Sequence, residues 1–190
     1  MGKLAGTVID GLVLKDLEIE QAERYFEHVQ ENRDIYSDTI PSVSKTHTVA
    51  EMHENIVRNL KRQKEGLSEF YTLWDGDRMA GLYLIREKEE EAKWAEIGYM
   101  LGKQWQRKGI TRKICSLLIE ELFTNQEMQK VVICCNDDNL ASIGVAKKLG
   151  FHLEGNLRNH YVVNGKPRNM LYFGLLKEEW RRTGDTMVYC

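Results

Sequence analysis

Long apolar runs are missing from this 190-residue chain. No stretch approaches the ~20 apolar residues that a membrane-spanning helix needs. The opening "MGKLAGTVID" lacks an apolar segment like the centre of a signal peptide. Position 6 is Gly6, where a myristoylation motif carries Ser or Thr. Cysteine is sparse: Cys115, Cys134, Cys135 and Cys190 form no Cys-x-x-Cys pair, and two of them are neighbours in an apolar run. Free thiols in a reducing cytoplasm are expected, not a disulfide framework. The five histidines have no paired ligand spacing, and "HENIV" at 53–57 lacks the second histidine of a zincin helix, so no metal is expected. There is no Pro/Gly-rich linker, internal repeat or low-complexity tract, which points to one domain over 1–190 with a tail at 177–190. A net charge of −2 gives no case for nucleic acid or an anionic membrane as partner. Two phosphate-loop patterns are also absent. The absence of G-x-x-x-x-G-K-[ST] argues against a nucleoside-triphosphatase loop, and the absence of G-x-G-x-x-G after the first strand argues against a dinucleotide enzyme.

What is present is an ordinary globular balance, 42% hydrophobic and 29% charged. "TVIDGLVLKDL" reads as a first strand. From Ile19, apolar residues recur at Ala22, Phe26 and Val29 with helical spacing. A second helix starts near Thr48, where Thr48 and Glu51 make a capping box ahead of an apolar stripe of Met52, Ile56 and Leu60. "EFYTLWDGDRMAGLYLI" predicts two strands joined at an Asp-Gly turn. After a charged turn, "EKEEEAK", comes a strand, "WAEIGYML" at 94–101. Next is a helix with Ile110, Ile114, Leu117, Leu118 and Leu122 on one face. "VVICC" at 131–135 is continuously apolar, as a strand covered on both sides would be. "NLASIGVAKKLG" predicts a short helix with Leu140, Ile143 and Leu149 inward, ended by Gly150. Two strands around Asn164-Gly165 close the series, giving an α/β fold with a mixed sheet of seven strands.

The stretch "WQRKGIT" lies between a strand and a helix. The first amides of a helix lack internal partners, and the aligned peptide dipoles add roughly half a positive charge there. A glycine lets a phosphate approach the backbone without meeting a Cβ atom, and Arg107 and Lys108 add formal charge. The stretch therefore reads either as a cradle for a phosphate or diphosphate or as a basic loop that holds nothing.

This loop and the segments on either side of it resemble the GNAT superfamily of acetyl-CoA-dependent N-acetyltransferases, and within it the RimJ/RimL type that acetylates the N-termini of ribosomal proteins. The family's diphosphate motif, Gln/Arg-x-x-Gly-x-Gly/Ala, corresponds to Gln106-Arg107-Lys108-Gly109-Ile110-Thr111, with Thr111 where Gly or Ala is usual. The likeness extends over roughly 8–176, through "AEIGYML", "NLASIGVAKKLGFHLEGNLRN" and "NGKPRNMLYFGLL". It implies a mostly antiparallel twisted sheet with helices on both faces and a splayed central strand pair. It implies acetyl-CoA as co-substrate, with its diphosphate on the amides of Arg107, Lys108, Gly109, Ile110 and Thr111 and its pantetheine arm beside Met100 and Leu101. Asn139 and Ser142 fall at cofactor-facing positions. Asn139 is equally an N-cap. Ser142 either serves the leaving sulfur or is a small residue that allows close packing. Glu96 is the candidate base, against a reading as an ion-paired strand carboxylate. Tyr161 and His160 are placed on the amine side, against hairpin packing for the tyrosine.

The acceptor's acidity bears on its identity. A peptide α-amine of pKa ~8 is about one-tenth neutral at pH 7, whereas a lysine amine at ~10.4 is under about one-thousandth neutral. A protein N-terminus, such as a ribosomal protein's, is therefore the expected acceptor. A small amine (aminoglycoside, polyamine or amino acid) is the alternative, and a CoA-binding module without turnover is a reading of another class. Acceptor choice is expected to lie in the helices at 19–30 and 48–64 and in the long polar loop "ENRDIYSDTIPSVSKTH" between them. From the resemblance alone, homo-oligomers are expected.

Overall fold

The computed structural model describes residues 2–40, 43, 45–163 and 165–184, the last four as backbone only. In chain order the elements are β1 (Val8–Ile9), β2 (Leu12–Asp16), a 3-10 turn (Ile19–Gln21), α1 (Ala22–Glu31), α2 (Arg33–Tyr36), α3 (Val49–Lys64), β3 (Glu69–Asp75), β4 (Arg78–Glu89), β5 (Trp94–Leu101), a second 3-10 turn (Lys103–Trp105), α4 (Ile110–Thr124), β6 (Lys130–Asn136), α5 (Leu140–Lys148), β7 (His152–Val163), β8 (Lys166–Leu176) and α6 (Lys177–Gly184). The strands form one sheet in the order β1-β2-β3-β4-β5-β6-β8-β7.

Eight strands stand where seven are expected, because "TVIDGLVLKDL" is a hairpin. Asp10 and Gly11 both take positive φ, 51° and 84°, and Ile9 pairs with Leu12. Asp-Gly is the same turn signal that marks β3 and β4, and it is equally legible here. In the β3–β4 hairpin the turn lies one residue later than the dipeptide suggests: Asp75 pairs with Arg78, leaving Gly76 and Asp77 as the loop. Asn164 lies outside the described residues, as do Met1, Cys190 and the rest of 185–190.

Every neighbouring pair is antiparallel except β5 and β6. Parallel neighbours need a long crossover, and α4 supplies it. The parallel ladder is short: Trp94, Ala95 and Glu96 pair with Lys130, Val131 and Val132, and the pairing stops there. Beyond it β5 stays zipped to β4 as far as Gly81–Leu101, and β6 stays zipped to β8 as far as Asn136–Met170. The two central strands therefore diverge into a V, as the resemblance implied.

Each face of the sheet carries its own core. On one face Ala95, Ile97 and Leu101 pack with Ile110, Ile114 and Leu118 of α4. On the other, Met100 and Leu82 pack with Val29 of α1 and Ile56 of α3. Successive residues of β5 point to opposite faces, so one strand serves both. The capping box of α3 is formed, with the Glu51 amide donating to Thr48 Oγ1 (3.2 Å) and the Thr48 amide to Glu51 Oε2 (3.0 Å). Leu140 does not face inward: it is 78% exposed, because α5 begins at the sheet's open end, and Leu149 at the other end is buried. The tail docks on the domain through α6, where Trp180 Nε1 donates to Glu120 Oε2 of α4 at 2.8 Å. No described helix is long and apolar enough to cross a membrane.

Candidate active site

The basic loop opens α4 as the sequence suggests. Gly109 is the N-cap residue at φ 77°, no side chain caps the helix, and a Cβ there would meet nothing within 4 Å. Arg107 also adopts a left-handed conformation, φ 62°. Such a backbone is uncommon for a residue with a Cβ, and it turns the chain sharply over the helix end. The first amides of α4 thus have no side-chain cap, the space beside Gly109 is open, and a positive dipole lies behind them, which fits an anionic diphosphate. Gln106 folds back and donates from Nε2 to the Leu101 carbonyl at 2.8 Å, fixing the loop to the end of β5. Ile110 is buried. Thr111, the departure from Gly/Ala, turns its hydroxyl inward to lie 3.2 Å from the Tyr83 hydroxyl. Thr111 is half-buried, and its amide lies in the first turn of α4.

A second layer holds this loop from the α1 side. His28 is buried, with Nδ1 2.9 Å from the Met79 carbonyl and Nε2 2.9 Å from the Tyr36 hydroxyl. A carbonyl only accepts, so Nδ1 carries the proton and Nε2 accepts from tyrosine. The His28 ring lies against Trp105 (centroids 6.4 Å apart), whose Nε1 donates to Asp75. Gly102 is tight between them: a Cβ would come within 3.0 Å of both rings. Asn32 accepts from the Lys103 amide at 2.9 Å, and Asp34 pairs with Lys103 Nζ at 2.6 Å. The polar loop 31–47 is thus partly structured. Besides α2, Arg33 donates to the carbonyls of Val43 and Thr46, and Asn136 of β6 donates to the Asp38 carbonyl.

The V-shaped gap has two chemically distinct sides. At its apex Glu96 is the last residue of the parallel ladder. Its carboxylate lies 3.3 Å from Arg86 Nε with the side chain 15% exposed. Burial raises its pKa above the ordinary carboxylate value; Arg86 opposes this and Glu87 reinforces it. The ion-paired reading and the candidate-base reading therefore describe one carboxylate. By strand alternation Glu96 shares a face with Gly98 and Met100, and a Cβ on Gly98 would touch Leu84 and Arg86 of that face. Cys134 and Tyr172 lie close by; burial and then the Glu96 charge weaken the acidity of Cys134, and burial, then Cys134, then Glu96 weaken that of Tyr172.

On the opposite face Tyr99 projects toward α5. Its hydroxyl is 2.8 Å from Ser142 Oγ, linking β5 to α5. Ser142 is itself buried, its amide donates to Asn139 Oδ1 at 3.1 Å, and Cys135 lies within hydrogen-bonding reach. The N-cap reading of Asn139 is realised. Met100 and Leu101, both buried, present the β5 edge that has left β6, which fits an extended arm laid along it. Gly81 is what brings β4 close behind this edge: a Cβ there would sit 2.4 Å from the Met100 carbonyl.

The hairpin β7–β8 reaches the same end of the sheet. Arg168 pairs with Asp138 at 2.5 Å and Asn169 donates to Asp137 at 2.7 Å, pinning the hairpin to the start of α5. Tyr161 is the cross-strand partner of Arg168, and its hydroxyl is buried without a hydrogen-bond partner among the described residues. His160 is exposed, edge-on to Tyr172 and Tyr161, each 6.3 Å away. Tyr99, Arg86, Tyr172 and Arg168 are site neighbours that sequence reading passed over. Alternation along "AEIGYML" would have put Tyr99 on the face opposite Glu96, but its partner on α5 needs the tertiary fold.

Comparison with known proteins agrees with this geometry. Residues 11–152 match the family model described as an acetyltransferase (GNAT) domain. A protein of Bacillus subtilis (strain 168), "Putative ribosomal N-acetyltransferase YdaF", is 30% identical over 175 residues, 91% of this chain and 95% of the relative. Spermidine N(1)-acetyltransferase of Escherichia coli (strain K12) is 26% identical over 118 residues, 60% of this chain and 63% of the relative. The structure of RimL, a ribosomal L7/L12 alpha-N-protein acetyltransferase in complex with coenzyme A, superposes with a TM-score of 0.85 at 22% identity, covering 92% of this chain and 98% of that one. Strands splayed beside an uncapped helix start, in a chain with these relatives, identify a member of the GNAT family of N-acetyltransferases, with acetyl-CoA as its co-substrate.

Proposed function

We propose that this acetyltransferase acts in the cytoplasm on the α-amine of a protein N-terminus, with a ribosomal protein as the acceptor class, by direct attack on the thioester. One observation carries the reading: the gap between β5 and β6 has Glu96 on one face and the Tyr99–Ser142 pair on the other. An amine entering from the Glu96 side meets a carbonyl whose sulfur departs toward Ser142. The amides from Arg107 to Thr111 hold the diphosphate, and the free edge at Met100–Leu101 orients the arm and supplies an amide to the developing oxyanion. Glu96 accepts the amine proton directly or through a water, the N–C bond forms, the C–S bond breaks, and Ser142 faces the leaving sulfur. Tyr161 and His160 stand on the acceptor side. A carboxylate is a weak base, so it suits an α-amine of pKa ~8 better than a lysine amine at ~10.4. The names of the B. subtilis relative and of the L7/L12 enzyme point the same way.

The likeness to spermidine N(1)-acetyltransferase favours a polyamine as the second reading. Thioester consumption is to be measured with peptides bearing free N-terminal serine or alanine and, in parallel, with spermidine. Turnover on the peptides is expected. Turnover on spermidine with none on any peptide would replace the first reading by the second.

A further inference from the structure

Behind the gap a series of hydroxyls leads to Ser142, and those of Thr111, Tyr83 and Tyr99 have no part in the acetyl transfer described above. Thr111 Oγ1 lies 3.2 Å from Tyr83 OH, the Tyr83 and Tyr99 rings stack at 6.4 Å and 28°, and Tyr99 OH lies 2.8 Å from Ser142 Oγ. Tyr99 must therefore do something to the serine it touches.

Proton counting says what. A serine hydroxyl has one proton to give and two lone pairs; a phenol likewise has one proton. If Ser142 donated to Tyr99, its only proton would be consumed and nothing would remain for a sulfur in the gap. If Tyr99 donates to Ser142, the serine proton is released. The sulfur of Cys135, in hydrogen-bonding reach of Ser142, competes for it as a weak acceptor. The Ser142 backbone cannot swing away, because its amide is held by Asn139 Oδ1. The Tyr99 ring stacks on fully buried Tyr83, whose own hydroxyl contacts Thr111, and this packing favours its observed placement.

We propose that Tyr99 is a positioning residue: its hydroxyl donates to Ser142 Oγ and so turns the single Ser142 proton into the β5–β6 gap, toward the leaving sulfur. The contribution is donation, not proton transfer. A thiol has a pKa of ~8.5 and a phenol ~10, so neither hydroxyl hands its proton to the thiolate. When the C–S bond breaks, its electron pair stays on sulfur as thiolate, which Ser142 O–H stabilises while Tyr99 O–H supports the charge drawn from Ser142 Oγ. Hydrogen bonds in such a chain strengthen one another, and a bond to an anion is about twice as strong as a neutral one.

The proposal rests on the reading of Ser142 as the leaving group's partner. The test is a double-mutant cycle, Tyr99→Phe, Ser142→Ala and both, read as the single-turnover rate of acetyl transfer with enzyme in excess. It is run on whichever amine the wild type acetylates, so a wrong acceptor class leaves it intact. Coenzyme A affinity is measured on each variant to report the fold. Tyr99→Phe is expected to slow transfer about tenfold or more, with affinity within about twofold, since losing one oxyanion-type donor costs on the order of 100-fold. The double variant should be no slower than Ser142→Ala. Rates that multiply in the double variant, or Tyr99→Phe at the wild-type rate while Ser142→Ala is slow, would overturn the coupling. Ser142→Ala at the wild-type rate would remove Ser142 from the mechanism and Tyr99 with it. A Tyr99→Phe defect confined to coenzyme A affinity would leave Tyr99 a packing residue only.

Discussion

His28 makes acid stability a measurable property of the loop's support. The native ring is neutral, donating to Met79 and accepting from Tyr36. Burial first, and Arg78 to a lesser degree, lower its pKa from 6.5 to about 4, against raising by the Met79 bond and Glu31. In the unfolded chain the ring protonates near its ordinary value. The unfolded state therefore binds more protons between pH 6.5 and 4, and native stability must fall as pH falls through that window. A difference of about 2.5 units at 1.36 kcal/mol each gives ~3 kcal/mol as an upper bound. Urea denaturation of wild type and His28→Gln at intervals from pH 7 to pH 4 isolates the effect, because the carboxylates titrate in both proteins and cancel in the difference. The wild-type advantage should shrink toward acid by up to ~3 kcal/mol, with a limiting slope near 1.4 kcal/mol per pH unit. Two parallel curves, within about 0.5 kcal/mol throughout, would refute a buried neutral histidine.

Three further outcomes are expected. Gly81→Ala places a methyl 2.4 Å from the Met100 carbonyl; it should cost ~1–3 kcal/mol as overpacking and weaken coenzyme A binding, and unchanged melting and affinity would contradict the close approach. Gly109→Ala has room for its methyl but a left-handed φ of 77°; calorimetry should find a stability loss of ~1–2 kcal/mol and titration a larger loss in coenzyme A binding, because the diphosphate then meets a Cβ. Glu96→Gln should abolish the acid limb of the pH–rate profile, which in the wild type lies above the usual carboxylate range because burial, then Glu87, outweigh Arg86. As the folded pKa is raised, Glu96 detracts from stability once the pH exceeds its unfolded value, so the variant should melt no lower than wild type at pH 7.

Local physics made most of the elements readable in advance. The α3 capping box, the "WAEIGYML" strand and the glycine before α4 each depend on residues within a few positions of one another. Misreadings arose where the decision was not local. Leu140 has an apolar side chain at a helical position, but its exposure depends on where α5 meets the sheet. The extra strand was a different case: Asp10-Gly11 carries its own turn chemistry and was readable.

For the site the division is sharper. In the "QRKGIT" stretch a glycine turn opening an uncapped helix was legible, because helix ends and glycine φ are backbone properties that the chain carries with it. That Glu96 and Tyr99, three residues apart, face opposite sides of the sheet is a consequence of the strand's period of two. The sequence by itself could not say that β5 leaves β6 after Glu96, that Arg86 lies against that carboxylate, or that Tyr99 reaches Ser142 across 43 positions. Those facts depend on strand order and register, which are set by how two apolar faces of one sheet are covered at once, and a chemical gap exists only where that covering lets two neighbouring strands part.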